Sequence, residues 1–309
     1  MSNILFLGGA GFIGSNLIKG LQDSGRKIFV VEPEGVPVSR LDGLKLTLER
    51  CSLKDTETIE GIIRQNKIDV VVHLVSMLIP GSSYDDFKKE LSEVVLPSID
   101  LMLRCVKHNV KFVFFSSGGT IYGNKTDMVP FVESDTPHPI SYYGWSKQIL
   151  ENSILFMHRT KGLRYLILRP SNTYGHGQNL YGQQGLVAVA IGKILQEEPI
   201  EVWGDGSAVR DYIYIDDLAD IFWQLMDRNV TNVTLNVGSG RGYSVNEVLA
   251  YLKTVSQKDL RICFKGARPV DVSYIVLDLS QLKNLVNIAF TPFLEGIRRF
   301  YDESCTETL

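Results

Sequence analysis

Tyr143 and Lys147, in the segment Tyr143-Gly144-Trp145-Ser146-Lys147, are the residues whose types and spacing are best suited to chemistry. They are four residues apart, so on a helix they share one face and reach the same ligand. A lysine ammonium, helped by an oxidised nicotinamide ring, favours a phenolate, so we expect a lowered pKa for Tyr143. Tyr143 would then take a hydroxyl proton while hydride leaves the adjacent carbon for a nicotinamide cofactor.

A glycine-rich segment near the start of the chain has the spacing GxxGxxG. It follows the apolar run Asn3–Leu7, which fits a buried strand, and precedes a predicted helix over 15–24. In this context glycines let the backbone approach a pyrophosphate at the helix N-terminus. The residues expected to contact a dinucleotide here are Gly8, Gly11, Phe12, Ile13 and Gly14.

Glu32 ends the next predicted strand, over 27–31. A carboxylate at this point accepts hydrogen bonds from an adenosine ribose and repels a 2′-phosphate, which favours NAD over NADP. The alternative is that Glu32 is a solvated strand end. The glycines upstream favour the first interpretation.

A hydroxyl-rich strand end over 115–123 is the third candidate element. A parallel sheet presents the carboxyl ends of its strands at one edge, where hydroxyls can donate to a substrate oxygen. The candidate side chains are Ser116, Ser117 and Thr120. Without these neighbours, Tyr143 and Lys147 would be an ordinary helix surface.

Strand-length apolar runs alternate with helical patterns through the first half of the chain. The runs lie at 46–50, 70–75, 112–115 and 165–168, and the helical segments near 56–66, 86–108 and 143–160. This alternation predicts an α/β fold, a Rossmann-like doubly wound parallel sheet. We expect an NAD-binding domain over 1–170 and, over 171–309, a smaller substrate lobe interleaved with it.

Composition narrows the classes of function. The chain has 309 residues, 44% hydrophobic and 22% charged, with a net charge of −3, so a general nucleic-acid binder is not expected. Four scattered cysteines form no CxxC pair, which predicts neither a zinc site nor a disulfide framework and favours a reduced, cytoplasmic compartment. The longest apolar stretch is too short to span a bilayer, and because a strand is predicted at the third residue we expect no N-terminal signal.

Further motifs follow in order along the chain. They are Ser116-Ser117 with Tyr122-Gly123, the segment Arg169–Gly175, the segment Val202–Tyr212 with Asp216-Asp217, and Arg268–Val272 with Asp278. Together with the glycine loop and the Tyr143–Lys147 pair, they identify a resemblance to the extended short-chain dehydrogenase/reductase family of nucleotide-sugar enzymes, over essentially the full length.

This resemblance implies NAD as the cofactor and a nucleoside diphosphate sugar as the substrate. The implied cofactor contacts are the glycine loop, Glu32, Ser116, Tyr143, Lys147 and Pro170, and the implied substrate contacts are Asn172, Arg210, Arg268 and Asp271. Arginine suits a diphosphate because its guanidinium is planar and permanently charged, although Arg210 with Asp211 could also be a local ion pair. The resemblance also implies a homodimer through the helices near 86–108 and 143–160.

Within the family, 4,6-dehydratases carry Asp-Glu where this chain has Gly119-Thr120, and decarboxylases carry glutamate at the position of Thr120. Because neither acid is present, the resemblance is closer to UDP-hexose 4-epimerases. The position usually held by a catalytic Ser or Thr is Gly118, so Thr120 or Ser117 is expected to supply the hydroxyl, with Thr120 preferred.

Two other functions remain open at this point. A reductase of a nucleotide-linked 4-keto-6-deoxy sugar would use Tyr143 and Lys147 in one direction only. Such enzymes often accept NADPH, which Glu32 counts against. A non-catalytic protein that keeps the fold and binds NAD is disfavoured by the intact Tyr143–Lys147 pair.

Overall fold

The computed structural model describes residues 2–22, 24–125, 127–267 and 272–307 of the chain. The strands are β1 (Ile4–Leu7), β2 (Ile28–Glu32), β3 (Thr47–Arg50), β4 (Val70–His73), β5 (Lys111–Phe115), β6 (Tyr165–Pro170), β7 (Asn172–Tyr174), β8 (Ile200–Trp203), β9 (Val209–Tyr214), β10 (Val233–Val237), β11 (Gly242–Ser244), β12 (Ile262–Lys265) and β13 (Tyr274–Ile275). The helices are α1 (Phe12–Lys19), α2 (Thr56–Gln65), α3 (Tyr84–Glu90), α4 (Leu96–Lys107), α5 (Tyr142–Lys161), α6 (Leu186–Leu195), α7 (Ile215–Asp227), α8 (Val245–Ser256), α9 (Ser280–Leu285) and α10 (Phe293–Glu307). A 3-10 helix spans Ser39–Leu41, and a π-helical segment, Leu91–Val95, joins α3 to α4.

A seven-stranded sheet in the order β10-β6-β5-β4-β1-β2-β3 forms the centre of the molecule. All of its strand pairs are parallel. The inner strands are apolar and buried along their whole length, as expected where helices cover both faces. The chain reverses direction across the sheet between β1 and β4. The carboxyl ends of these two strands therefore flank the crevice where ligands bind in open α/β sheets.

Two hydrophobic clusters lie on opposite faces of this sheet. One includes Leu17 of α1 and Phe222 of α7. The other includes Ile59 of α2, Leu101 of α4 and Ile154 of α5. The doubly wound sheet predicted from the alternating pattern is thus confirmed.

Two predicted helices have different bounds in the structure. The helix expected over 15–24 is α1, which begins at Phe12 because Gly11 is extended and its carbonyl accepts the Ser15 N–H at 3.0 Å. It ends at Lys19, where the chain tightens into turns. The helix expected near 86–108 is interrupted by the π-helical segment between α3 and α4.

After residue 171 the chain builds smaller sheets and also returns to the central one. β9 pairs with β7, β11 and β13, and β8 pairs with β12. β10 is an edge strand of the central sheet, beside β6. The second half of the chain therefore contributes a strand to the central sheet, next to β6.

No helix in the described ranges has the length and apolar character needed to span a lipid bilayer. The 20-residue α5 carries Lys147, Glu151 and Arg159 along its length. Such charges are costly at the centre of a membrane.

Candidate functional site

Helix α5 places Tyr143 and Lys147 in its first two turns. The helix begins after Ser141, whose hydroxyl accepts the Gly144 N–H at 3.2 Å. Lys147 is 3% exposed and its Nζ donates to the carbonyl of Phe115 at 3.1 Å. The same Nζ lies 5.6 Å from the centre of the Tyr143 ring. The pair therefore faces the end of β5 and is not an ordinary helix surface.

Burial governs the acidity of both side chains. It lowers the pKa of Lys147 to about 8, while the carboxylates of Glu90 and Glu151 oppose this shift. Burial also raises the pKa of Tyr143 to about 12, against a hydrogen bond from Ser117. In the protein without its cofactor the pKa of Tyr143 is thus raised and not lowered, because the effect of burial outweighs the opposing hydrogen bond. The expectation from the sequence also included the positive charge of an oxidised nicotinamide ring. That charge is present only when the cofactor is bound.

Ser117 and Thr120 form a short chain of hydroxyls leading to Tyr143. The Tyr143 hydroxyl is hydrogen-bonded to Ser117. Thr120 Oγ1 donates to Ser117 Oγ over 2.9 Å. The sequence favoured Thr120 as the working hydroxyl, whereas in the structure Ser117 touches Tyr143 and Thr120 lies behind it.

Two glycines of the glycine loop, Gly8 and Gly14, are at positions that disfavour a side chain. Gly8 has a φ of +78°, which favours glycine. A Cβ on Gly14 would come within 2.7 Å of both the Cα and the carbonyl oxygen of Gly9. Gly11 is exposed, and Phe12 and Ile13 are half-buried at the start of α1. The loop thus opens the N-terminus of α1 to a diphosphate.

Glu32 lies at the end of β2 next to this loop. It is 4% exposed, and its Oε1 accepts the Ala10 N–H at 2.6 Å. Burial raises its pKa, while the Ala10 hydrogen bond and the charge of Arg50 lower it. The alternative of a solvated strand end is therefore wrong.

Ser116 and Pro170 lie at the neighbouring ends of β5 and β6. Ser116 is buried, and within the described ranges its Oγ has no hydrogen-bond partner. Because buried hydroxyls usually have a hydrogen-bond partner, this one is available to a polar ligand at the carboxyl edge of the sheet. The glycine loop, the buried acid Glu32 and this hydroxyl together fit a dinucleotide.

A buried ion pair between Arg169 and Glu151 lies beside the carboxyl edge of the central sheet. Arg169 binds both carboxylate oxygens of Glu151, at 3.0 and 2.6 Å, and donates to the Tyr122 hydroxyl at 2.8 Å. Tyr122 donates in turn to Asn236 of β10 at 2.5 Å. This network fixes α5 to β6 and to the second half of the chain. The motifs contain Arg169 and Tyr122, but spacing alone does not show that Glu151 is their partner.

Two of the residues expected to hold the substrate lie in short strands of the second half of the chain, Asn172 at the start of β7 and Arg210 near the start of β9. Asn172 Nδ2 donates to the carbonyl of Asp211 at 3.0 Å, and Arg210 is half-buried on β9 opposite Tyr243. Arg268 and Asp271 lie outside the described residues.

Asp211 is a structural anchor. Its carboxylate is fully buried and accepts backbone N–H groups of Ser239, Gly240 and Leu277 at 2.8, 3.0 and 3.3 Å. Burial raises its pKa to about 6. The carboxylate thus ties β9 to two other segments of the chain, at Ser239-Gly240 and at Leu277.

Glu90 was not singled out from the sequence. It is the last residue of α3, a polar helix in which acidic side chains would be expected to face solvent. In the structure it is only 1% exposed. Its negative charge raises the pKa of both Tyr143 and Lys147. Within the described ranges, no group of three or more His, Cys, Asp or Glu side chains is arranged to hold a metal ion.

Solved structures resemble this chain along almost its whole length. A UDP-glucose 4-epimerase of Thermotoga maritima with UDP-glucose is 32% identical, with a TM-score of 0.93, over 99% of this chain and 100% of that one. A UDP-glucose 4-epimerase of Thermus thermophilus, in complex with NAD, is 28% identical, with a TM-score of 0.89, over 97% and 98%.

A relative with a different activity is equally similar in sequence. A dTDP-4-dehydro-6-deoxyglucose reductase of Escherichia coli is 30% identical over 289 residues, or 91% of this chain and 90% of that protein. The family profile described as "NAD dependent epimerase/dehydratase family" matches residues 4–238. With its Rossmann-like sheet, glycine loop and Tyr143–Lys147 pair, the chain belongs to the NAD dependent epimerase/dehydratase family, and its cofactor is NAD.

Proposed function

We propose that this protein is a 4-epimerase of a nucleotide sugar of the UDP-hexose or UDP-N-acetylhexosamine type, acting through a transient 4-keto sugar. The observation that carries the proposal is the hydroxyl of Tyr143 held by Ser117 beside the buried Lys147. The Gly119-Thr120 pair, which lacks the acids of a dehydratase, supports it. So do the structural relatives that are UDP-glucose 4-epimerases.

Tyr143 is the proposed general base and acid. When bound, NAD would supply reversible hydride transfer at C4 of the sugar, with the hydride returned to the opposite face. Tyr143 takes the proton of the 4-hydroxyl as C4 is oxidised to a ketone, and gives that proton back when the ketone is reduced. With the sugar bound, Ser117 would turn its single hydroxyl proton from Tyr143 to the 4-oxygen, and Thr120 orients Ser117 through their 2.9 Å hydrogen bond. Lys147 opposes the negative charge that develops on Tyr143.

The remaining roles follow from position. Gly8, Gly11, Gly14, Phe12 and Ile13 would hold the diphosphate of NAD at the start of α1, Glu32 its adenosine ribose, and Ser116 and Pro170 the nicotinamide side. Asn172, at the start of β7, and Arg210, near the start of β9, would hold the nucleoside diphosphate of the sugar. We propose Arg268 and Asp271 for the same task on the strength of their motif.

Reduction of a nucleotide-linked 4-keto-6-deoxyhexose is the second candidate. It is favoured by the relative from Escherichia coli, which is a reductase. The same Tyr143 would then protonate the 4-oxygen while hydride arrives from a reduced cofactor that exchanges at each turnover. Glu32, buried beside the glycine loop, disfavours the 2′-phosphate of NADPH.

Proton NMR of the purified protein with single sugars separates the two functions. The panel is UDP-glucose, UDP-N-acetylglucosamine, UDP-glucuronate and a dTDP-4-keto-6-deoxyhexose, with no cofactor added. The proposal predicts a C4 epimer of one UDP sugar. Turnover of the keto sugar alone, and only after NADH or NADPH is supplied, would identify a reductase.

A homodimer through α4 and α5 is also proposed. These neighbouring helices leave large apolar side chains exposed: Leu96 (62%), Leu103 (38%) and Phe156 (52%). Burying such side chains between two copies removes apolar area from water. Light scattering should give twice 34.6 kDa, falling to the monomer mass in a Leu103→Glu, Phe156→Glu variant. Val129→Glu, at an exposed apolar site elsewhere, should leave the mass unchanged, and a monomeric wild type would refute the proposal.

A further inference from the structure

Glu90 is a buried carboxylate at the end of α3 that the proposed mechanism does not use. Its Oε1 accepts the hydroxyls of Ser76 and Ser146, each at 3.2 Å, and its Oε2 accepts the Met77 N–H at 2.8 Å. All three donors are uncharged. They satisfy the hydrogen bonding of the carboxylate without neutralising its charge, so a nearby cation is needed to offset the cost of burial.

Lys147 is the cation that interacts with this charge. It follows Ser146, which binds Glu90 directly, and the negative charge of Glu90 raises the pKa of Lys147 against the effect of burial. The same charge raises the pKa of Tyr143. Glu90 therefore favours protonation of both members of the pair.

The other titratable groups around Tyr143 and Lys147 are either neutral or already paired with an opposite charge. Glu151, on the next turn of α5, is held by Arg169 of β6. His73, at the end of β4, has a pKa lowered to about 3 by burial and by the charge of Lys147, so it is neutral at physiological pH. Among the described groups facing the pair from α3, α5, β4 and β6, the negative charges that act on Lys147 are therefore Glu151, which is shared with Arg169, and Glu90, whose hydrogen-bond donors are uncharged.

The local backbone singles out the same residue. Asp85, Asp86, Lys88 and Lys89 of α3 are exposed, whereas Glu90 points inward. The π-helical segment Leu91–Val95 begins at the next residue. Single π-helical insertions are rare and are frequent at functional sites.

We propose that Glu90, buried at the end of α3 and hydrogen-bonded to Ser146 next to Lys147, is a positioning residue that supplies the counter-charge for the Lys147 ammonium. Its meaning for the reaction rests on the proposed function, in which Tyr143 exchanges a proton with the sugar. The electrostatic relation itself does not depend on which sugar is used.

Glu90→Gln is the most direct variant. It keeps the size of the side chain and an acceptor oxygen but removes the charge. The titration midpoint of Lys147 should then fall by about 1 pH unit, as expected for loss of an opposite charge nearby. The titration midpoint of Tyr143 should fall as well, because the Glu90 carboxylate no longer repels the negative charge of the phenolate. Both limbs of the pH–rate profile should therefore move to lower pH.

Carbon NMR of the lysine methylene next to the amine, in cofactor-free protein, measures the midpoint without any turnover. The Lys147 signal is assigned by its absence in Lys147→Arg. The matched control is Glu93→Gln, which removes a carboxylate three residues away that is exposed and paired with Lys54.

A midpoint near 8 in the wild type and in Glu93→Gln, and near 7 in Glu90→Gln, is the expected result. Equal midpoints in all three proteins would overturn the proposal and leave Glu90 as a loop anchor for Ser76 and Met77. Glu90→Asp and Glu90→Asn shorten the side chain equally and differ in charge. A lower Lys147 midpoint in Glu90→Asn than in Glu90→Asp would therefore show the effect of the charge even if Glu90→Gln folds poorly. If no sugar turns over, only the proposed function fails, since the NMR midpoints stand alone.

Discussion

Leu277 occupies the space that a side chain at Gly118 would need. A Cβ built on Gly118 would lie 2.7 Å from Cδ1 of Leu277 and 2.8 Å from the carbonyl oxygen of Arg169. Leu277 is itself fixed, because it is buried and its N–H binds Asp211. Gly118 therefore has no room for a hydroxyl-bearing side chain, and we infer that Ser117, which is hydrogen-bonded to Tyr143, provides the hydroxyl instead.

Gly118→Ser should destabilise the protein without improving catalysis. Contacts under 3 Å force Leu277 or the backbone to move, which costs about 1–3 kcal/mol of unfolding free energy. Urea unfolding measures this loss. Gly119→Ala is the matched control, because its Cβ would meet nothing nearer than Asn172 Oδ1 at 3.6 Å. If the Gly118→Ser protein were as stable as Gly119→Ala, Leu277 would be able to move aside at little cost in free energy.

Tyr143→Phe should abolish turnover while leaving the cofactor in place. The change removes the hydroxyl that exchanges the proton, so kcat should fall by about 100- to 10,000-fold. Bound NAD per protein chain and the thermal unfolding midpoint should stay close to wild type. A variant that retains a tenth of wild-type kcat would remove Tyr143 from the mechanism. If the wild type turns over, loss of activity with retained NAD also excludes a non-catalytic NAD-binding protein.

Ser117 should matter more than Thr120. Ser117→Ala removes the hydroxyl bonded to Tyr143, and kcat should fall by about 100-fold, as for loss of a donor to a developing charge. Thr120→Val removes one hydrogen bond to Ser117, worth about 1 kcal/mol, so a loss of about fivefold is expected. Steady-state kinetics of both variants test the order. A larger loss in Thr120→Val would restore the sequence-based preference for Thr120.

Turnover should decline as the pH rises through about 8. The pKa of Lys147 is lowered from 10.5 to about 8, so the ammonium that supports Tyr143 is present below this pH and is lost above it. A profile of kcat/KM between pH 6 and pH 10 measures this limb. A rate that stays constant to pH 10 would mean that the charge of Lys147 is not needed.

The parts of the fold and site that depend on local patterns are those the sequence predicts well. Apolar runs separated by helical periods indicate the parallel sheet, because both of its faces are buried. The glycine spacing indicates the loop before α1, where Gly14 packs against Gly9 with no room for a side chain. Four-residue spacing places Tyr143 and Lys147 on one face of α5.

Features that depend on long-range packing are not visible in the sequence. The inward position of Glu90 follows from how α3 packs on α5, although its neighbours on α3 are solvated. Asp211 is bound by Ser239, Gly240 and Leu277, which lie far from it in the chain. The choice of Ser117 over Thr120 depends on hydroxyl geometry at one turn, and no spacing rule separates two such close residues.

Transfer of a labelled hydrogen tests the proposed reaction most directly. The UDP sugar found to turn over is prepared with deuterium at C4 and incubated with the protein, without added cofactor, and the product is analysed by proton and deuterium NMR. The account predicts the C4 epimer with deuterium retained at C4, since the hydrogen leaves and returns within one active site. Loss of the deuterium to water, or conversion of a 4-keto sugar alone when NADH or NADPH is added, would contradict it.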